Sequence, residues 1–252
     1  MATGILRIQA FAARQSAPVE GVTVNIVGDG FTAARMTDAE GNAADVTLTA
    51  PDCALSLEED NTTRLPYAVC SLTASKAGYR TVRIQGIQVF AGQVTLAQPE
   101  MIPETEEGRD VEDPPIVIPP HPLFAGGGGG GRAPADPCAP RVLDRVIIPK
   151  NITVHLGKPA ASARNVTVSF RRYIANVASS EVYPTWPESA LRANIHCQIS
   201  LALNRIYTEW YPSRGYSFNI TNSTSYDQYY VHGRTVFDVM VRLTDDIFNT
   251  YL

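Results

Sequence analysis

A chain of 252 residues with 44% apolar and 18% charged residues has the material for one large domain or two small ones with packed cores, which excludes global disorder. A net charge of −4 supplies no basic surface for a phosphate backbone, so nucleic acid is not an expected partner. Gly, Pro and polar residues break every uncharged stretch short of a membrane span, and Met1-Ala-Thr-Gly-Ile-Leu-Arg-Ile8 runs straight into a strand pattern without the basic start and apolar run of a secretory signal.

Residues 4–98 read as all-β. Ile5 to Ala10 alternate and give a first strand, and Val22, Val24 and Ile26 alternate with Thr23, Asn25 and Val27 to give a second with one buried face. Gly28-Asp-Gly30 and Thr37-Asp-Ala-Glu-Gly-Asn42 are turn signals. Val46–Leu48 is a short strand, Tyr67–Ala74 a longer one turned by Lys76-Ala-Gly-Tyr79, and Tyr79–Ile84 and Ile87–Leu96 complete the set. Short strands with frequent turns predict a β-sandwich over residues 1–98.

Residues 99–141 read as a linker. Pro103–Asp113 is acidic, Pro114–Pro122 is proline-rich and extended, and Gly126–Gly131 is a run of six glycines. That run lacks the Lys-Ser/Thr of a phosphate loop, which makes it a spacer. Val146-Ile-Ile148 is a short strand candidate.

The period then changes. A helical pattern starts near Phe170 and ends near Glu181, before a turn at Tyr183-Pro-Thr-Trp-Pro187. From about 187 to 210, Leu191, Ile195, Ile199, Ala202, Leu203, Ile206 and Trp210 recur at spacings of three and four, the stripe of a strong amphipathic helix. Thr185 and Glu188 match a capping box, with Pro187 in the first turn. Phe218-Asn-Ile-Thr221 reads as a strand and Thr235–Leu252 as a further amphipathic helix. The expected fold is α+β: an N-terminal all-β sandwich at 1–98, a Pro/Gly-rich linker at 99–141, and a mainly helical C-terminal domain at 142–252. The helix-like pattern is uncapped at Leu252, so an incomplete C-terminal domain is one expectation.

Four cysteines, Cys53, Cys70, Cys138 and Cys197, show no metal-ligand spacing, and neither metal nor cofactor is expected. Cys53 and Cys70 admit a bridge within the first domain, with free thiols ahead of it. Glu181 is the ionisable residue of most interest. A carboxyl at a helix end beside aromatic residues, here Tyr183 and Trp186, has its neutral form favoured by desolvation and can serve as a general acid. Without other information, a lone Glu at a helix end is more often a solvated residue.

Two resemblances sharpen this reading. Pro18-Val-Glu-Gly-Val-Thr-Val24, Thr37-Asp-Ala-Glu-Gly41 and Ala74-Ser-Lys-Ala-Gly-Tyr-Arg-Thr81 resemble the transthyretin-like, carboxypeptidase-regulatory-type sandwich. That resemblance implies a fold and no chemistry. The segment Tyr173–Asn194, with Asn176-Val-Ala-Ser-Ser-Glu181, Trp186-Pro187 and Ser189-Ala-Leu-Arg-Ala-Asn194, resembles the signature of the SpoIID family. Phe218-Asn-Ile-Thr-Asn-Ser-Thr-Ser-Tyr-Asp-Gln-Tyr229 resembles that family's later motif, in the right order. The tandem as a whole is similar to proteins of spore-forming bacteria described as spore cortex-lytic enzyme, pre-pro-form.

The SpoIID resemblance implies a lytic transglycosylase that cleaves peptidoglycan glycan strands with a single Glu as acid/base. The matching residue is Glu181, and Ser180, Tyr183, Trp186, Asp227, Gln228 and Tyr229 are the candidates for substrate binding. Asp227 fits a groove residue and a loop cap equally. Gln228 and Tyr229 fit sugar binding and core or turn roles equally, and Ser180 could bond glycan or cap the backbone. Glu188 is accounted for by the capping box, His196 by the helix and His232 by a turn. Where some relatives carry His-Cys, this chain has Tyr226-Asp227, so no zinc is expected, and the family's Met-Pro after the Glu is Val182-Tyr-Pro184. The implied setting is the spore or cell envelope. Without a visible signal, mother-cell cytoplasm, release by lysis or a missing leader stay open. The alternative class is a non-catalytic wall-binding or spore-structural protein with a degenerate domain.

Overall fold

The computed structural model describes residues 2–12, 17–58, 61–104, 113–124 and 142–252. The glycine run Gly126–Gly131, residues 105–112 of the acidic stretch and Cys138 lie outside the described residues. The strands are β1 (Ala2–Gln9), β2 (Phe11–Ala12), β3 (Ala17–Pro18), β4 (Thr23–Gly28), β5 (Phe31–Met36), β6 (Asn42–Ala50), β7 (Ala68–Ser75), β8 (Val82–Val89), β9 (Val94–Ala97), β10 (Ile116–Val117), β11 (Asn151–His155), β12 (Asn165–Ser169), β13 (Ile220–Thr221) and β14 (Val236–Phe237). The helices are α1 (Phe170–Glu181), α2 (Glu188–Tyr207) and α3 (Asp238–Ile247). The chain divides into two compact units, one of Met1–Pro120 with Gly233–Asp238 and one of His121–His232 with Val239–Leu252.

The first unit is two sheets. One has the order β14-β9-β1-β6, with β1 antiparallel to β6 and parallel to β9. The other has the order β10-β8-β7-β4-β5 and is antiparallel except where β10 joins β8. Strand alternation sends Leu6 and Ile8, Val24 and Ile26, Leu72 and Ala74, and Ile84 and Ile87 into one shared core. Each large aliphatic buried there contributes about 1.5–3 kcal/mol. The turn between β5 and β6 is locked by side chains. Thr37 Oγ1 donates to Val19 O at 2.7 Å and accepts from Val22 N at 2.9 Å, while Asp38 Oδ1 accepts from Asn42 N at 2.8 Å.

Several expectations need correction here. β5 was not anticipated. The strands expected at Tyr79–Ile84 and Ile87–Leu96 are divided differently, because β8 runs unbroken through Gly86 and the chain turns at Ala91-Gly92 instead. Gly86 has φ +75°, and a Cβ there would lie 2.2 Å from Ile118 O, so only glycine fits this bulged position. Cys53 and Cys70 are free thiols, the state expected ahead of a bridge, and burial in β7 pushes the Cys70 thiol up to about 12.

The second unit pairs β11 antiparallel with β12 and parallel with β13, in the order β12-β11-β13. Ile152 and Val154 of β11 are fully buried. Asn219 extends the pairing, its N–H donating to Thr153 O and its Oδ1 accepting from Thr153 N, each at 2.9 Å. Val146–Ile148 forms no strand. Ser169 caps α1, accepting from Arg172 N at 3.4 Å, and the helix ends where Val182 turns extended ahead of Pro184. The stripe of α2 buries Leu191, Ile195, Ile199, Ala202 and Leu203, with Ile206 and Trp210 half-buried. Pro187 holds the N-cap position with no side-chain cap of its own, and the Glu188 side chain pairs with Arg192 at 2.9 Å and Arg242 at 3.2 Å.

The expected α+β chain with a mainly helical C-terminal domain is overturned. The chain is mostly sheet, with three α-helices among the described residues. Residues after 142 carry a three-stranded sheet, and the expected helix over Thr235–Leu252 begins as strand β14 and is helical only over Asp238–Ile247. The physical reason is tertiary. Val236 and Phe237 pair with Leu96 and Thr95 of β9, a ladder no local period discloses.

Candidate functional site

Helix α1 is buried along almost its whole length. Ser169 and the strand pairing of β12 aim it so that Glu181, its last residue, meets α2 and the segment that follows β13. Glu181 is half-buried. Its Oε1 accepts from the Tyr229 backbone N–H at 2.9 Å, and its Oε2 accepts from Gln198 Nε2 at 2.8 Å. Burial pushes the Glu181 carboxyl above its ordinary value, and these two hydrogen bonds to the ionised form oppose that push without cancelling it. Gln198 Nε2 also donates to Asn194 Oδ1 at 2.7 Å.

The segment Gln228–Val231 is laced to α1 by side chains. Tyr173 Oη donates to Gln228 Oε1 at 3.0 Å. Asn176 reads both backbone groups of Val231, donating to its carbonyl at 2.8 Å and accepting from its N–H at 3.1 Å. Gln228 Nε2 donates to the Gln198 carbonyl at 3.0 Å. Segments 173–194 and 218–229 therefore meet at Glu181.

Asp227 sits beside this lacing as a buried hub. Its Oδ1 accepts from Arg205 Nε at 2.7 Å, and its Oδ2 accepts from Tyr211 Oη at 2.5 Å, Thr221 N at 2.9 Å and Thr221 Oγ1 at 2.7 Å. Desolvation and the adjoining Asp227 carboxylate both push the Tyr211 phenol up. Ser180 is buried and donates to Asn176 O at 2.8 Å. Tyr183 is buried with its ring 4.5 Å from that of His121, and meets Trp186 edge-on at 6.4 Å. Of the six substrate-binding candidates, Trp186 and Tyr229 are half-exposed, Ser180, Tyr183 and Gln228 are buried, and the Asp227 side chain has no exposed surface. His196 lies 3.5 Å from Thr250 Oγ1, and His232 lies 3.2 Å from Tyr230 Oη.

Sequence reasoning passed over Gln198, Asn194 and Tyr173. Gln198 carried a signal, a polar residue beside Ile195 and Ile199 on the buried stripe of α2. Among the described residues no group of three or more His, Cys, Asp or Glu is placed to hold a metal ion, and no helix is long and apolar enough to cross a membrane.

No protein-family model matches the chain, and no curated protein does. Among solved structures the chain is similar to the Bacillus anthracis TIE protein, at 16% identity and a TM-score of 0.29 over 41% of this chain and 17% of that one. It is also similar to catechol 1,2-dioxygenase from Acinetobacter sp. ADP1, at 14% identity and a TM-score of 0.30 over 46% of this chain and 58% of that one. The enzyme of the same name from Pseudomonas arvilla C-1 gives 15% and 0.28 over 44% and 56%. The chain thus spans less than two thirds of each of these proteins, and likenesses this slight carry no argument.

Proposed function

We propose that the second unit cleaves peptidoglycan glycan strands as a lytic transglycosylase, with Glu181 as its single acid/base. The observation that carries this reading is the state of the Glu181 carboxyl. It is withdrawn from water, which favours the neutral acid, and it is oriented by an amide and a backbone N–H instead of being neutralised by a cation. Once protonated, an acid so held delivers its proton to the glycosidic oxygen as the bond from that oxygen to the anomeric carbon breaks. The 6-hydroxyl of the same muramyl residue then bonds to the anomeric carbon and returns its proton to Glu181, closing a 1,6-anhydro ring. One carboxyl suffices because the nucleophile belongs to the substrate. The resemblance of residues 173–194 and 218–229 to SpoIID supports this assignment, with the spore or cell envelope as the setting and the glycan strand as the partner.

A second reading, a non-catalytic wall-binding or spore-structural protein, is favoured by one observation. Ser180, Asp227 and Gln228 spend their side chains on internal hydrogen bonds. Incubation of the purified protein with denuded glycan strands, followed by mass spectrometry for anhydro-muramyl ends, separates the two. Product from the wild type and a loss of about 10²–10⁴-fold in Glu181→Gln is the expected result. No product from the wild type, or equal product from the variant, refutes the enzyme.

A further inference from the structure

Gln198 is buried on α2 between Ile195 and Ile199. Both hydrogens of its Nε2 are committed in one direction, to Glu181 Oε2 and to Asn194 Oδ1. Its Oε1 is buried and finds no donor among the described residues. A buried carbonyl oxygen without a donor is costly and calls for an explanation. The same oxygen has a second meaning: no donor pins the far end of the amide. Among the described residues, its orientation is set by what Glu181 and Asn194 present to it.

What Glu181 presents depends on its proton. The ionised carboxylate is acceptor-only, so Nε2 must face it. The acid carries an O–H, which needs an acceptor, and half a turn of the carboxamide supplies Oε1 at almost unchanged shape. Asn194 is half-exposed and can reverse its own amide, so that Nδ2 in place of Oδ1 meets the turned Gln198. The Gln198 backbone stays anchored meanwhile, because its carbonyl accepts from Gln228 Nε2.

We infer that Gln198 is a positioning residue for Glu181 whose carboxamide reverses as Glu181 gains and loses its proton, with Asn194 reversing in concert. The inference rests on the reading of Glu181 as the acid. It gives each state of the carboxyl a matched partner, so neither the loaded acid nor the spent carboxylate drifts from its place between α2 and Tyr229. The charged and titratable groups around it do not compete for this role. On α1 the neighbour is the Tyr173 phenol, held neutral well above its ordinary value by burial first and then by the charges of Asp227 and Glu181. Tyr230 and Tyr211 join that set beyond Tyr173, and Asp227 is engaged by Arg205, Tyr211 and Thr221. Toward Glu181, α2 offers two amides and no ion pair.

The test is an NMR titration of the full chain. The side-chain amides of Gln198 and Asn194 are followed together with the Glu181 carboxyl carbon, with Glu181→Gln, Gln198→Met and Asn194→Ser used for assignment. The expected result is one common midpoint for all three groups. In Glu181→Gln, whose amide imitates the protonated acid, both remaining amides stay at their low-pH positions throughout. Gln198→Met moves the Glu181 midpoint upward, because the bond donated to the ionised carboxylate is stronger than the one accepted from the neutral acid, and lowers kcat about ten- to a hundredfold with KM little changed. Amide signals that stay flat while Glu181 titrates, or a Glu181 midpoint that Gln198→Met leaves in place, overturn the inference. The titration needs no turnover. Coupled amides without any anhydro-muramyl product therefore sink the proposed reaction and sustain the coupling, whereas product with flat amides does the reverse.

Discussion

Removing the Asp227 carboxylate should strongly destabilise the second unit. Its side chain has no solvent exposure, and that of its ion partner Arg205 is 12% exposed. Asp227→Ala leaves a largely buried guanidinium, a buried phenol and the Thr221 N–H without their acceptor. Breaking a buried pair by deleting one partner costs about 3–5 kcal/mol. Asp227→Asn keeps the shape and one acceptor oxygen but forfeits the charge and turns one acceptor into a donor, a loss of about 1.5–3 kcal/mol. Total stability of such a unit is about 5–15 kcal/mol, so the alanine variant loses a large share of it. Tryptophan fluorescence isolates the effect, since the chain has two tryptophans, Trp186 and Trp210, and both belong to the second unit. Trp210 is a direct reporter, because the Arg205 guanidinium stacks 4.5 Å from its ring centre. With a urea slope of about 1–3 kcal/mol per molar, the Asp227→Ala midpoint should fall by at least about 1 M. A loss below about 1 kcal/mol would mean that Asp227 is a solvated loop cap, and the reasoning from its four bonds would fail.

Three further outcomes are expected. Burial raises the Glu181 carboxyl, so the folded state retains a proton that the unfolded chain has lost, and this contribution is present below the unfolded carboxyl value and fades as pH rises through the folded one. Glu181→Gln cannot ionise, so its stability relative to wild type should increase with pH across that window; urea melts from about pH 4 to about pH 8 check this, and parallel curves refute it. Glu209 is the non-glycine residue with positive φ among the described residues, at +43° just past α2, where its N–H bonds to Ile206 O. Glu209→Gly should stabilise the second unit by up to about 1 kcal/mol in the fluorescence melt. Gly86→Ala should cost the first unit at least about 2 kcal/mol, read as faster amide exchange along β7 and β8, because the new Cβ meets Ile118 O at 2.2 Å on a backbone of φ +75°.

Patterns that repeat over a long enough window were legible in the chain. Ile5 to Ala10 alternates as β1 does, and the spacing of Leu191, Ile195, Ile199, Ala202 and Leu203 traces the buried face of α2. Elements set by distant partners were not legible. β11 offers two inward residues, Ile152 and Val154, too few to establish a period, and β14 exists because β9 pairs with it from far away in the chain. Gly86 looked like a strand break and is a bulge inside β8. Thr185 and Glu188 had capping-box spacing; in the fold Arg192 and Arg242 give Glu188 partners of opposite charge, and Pro187 takes the cap position. At the site, Glu181 stood out by its flanking segments. Asp227 could not be recognised as a hub, because Arg205, Tyr211 and Thr221 come from three separate stretches that only folding brings together.

Under the proposed function, Glu181 divides architecture and chemistry between its two oxygens. Tyr173, Glu181 and Asn176 project from one helix and hold Gln228, Tyr229 and Val231 in turn, with Oε1 making the middle hold through the Tyr229 N–H. That donor is backbone, fixed in place two residues from the paired bonds between Asn176 and Val231, so it cannot turn aside when the carboxyl changes state. Oε2 faces the other donor, a side-chain amide whose oxygen meets no donor among the described residues. A proton arriving at or leaving Glu181 therefore meets least resistance at Oε2, where one bond rotation converts donor into acceptor, and most at Oε1, where the loop itself would have to move. A carboxyl could then lose its proton to a glycosidic oxygen without releasing the segment that frames it, which is what a reusable acid in a site built from hydrogen bonds requires.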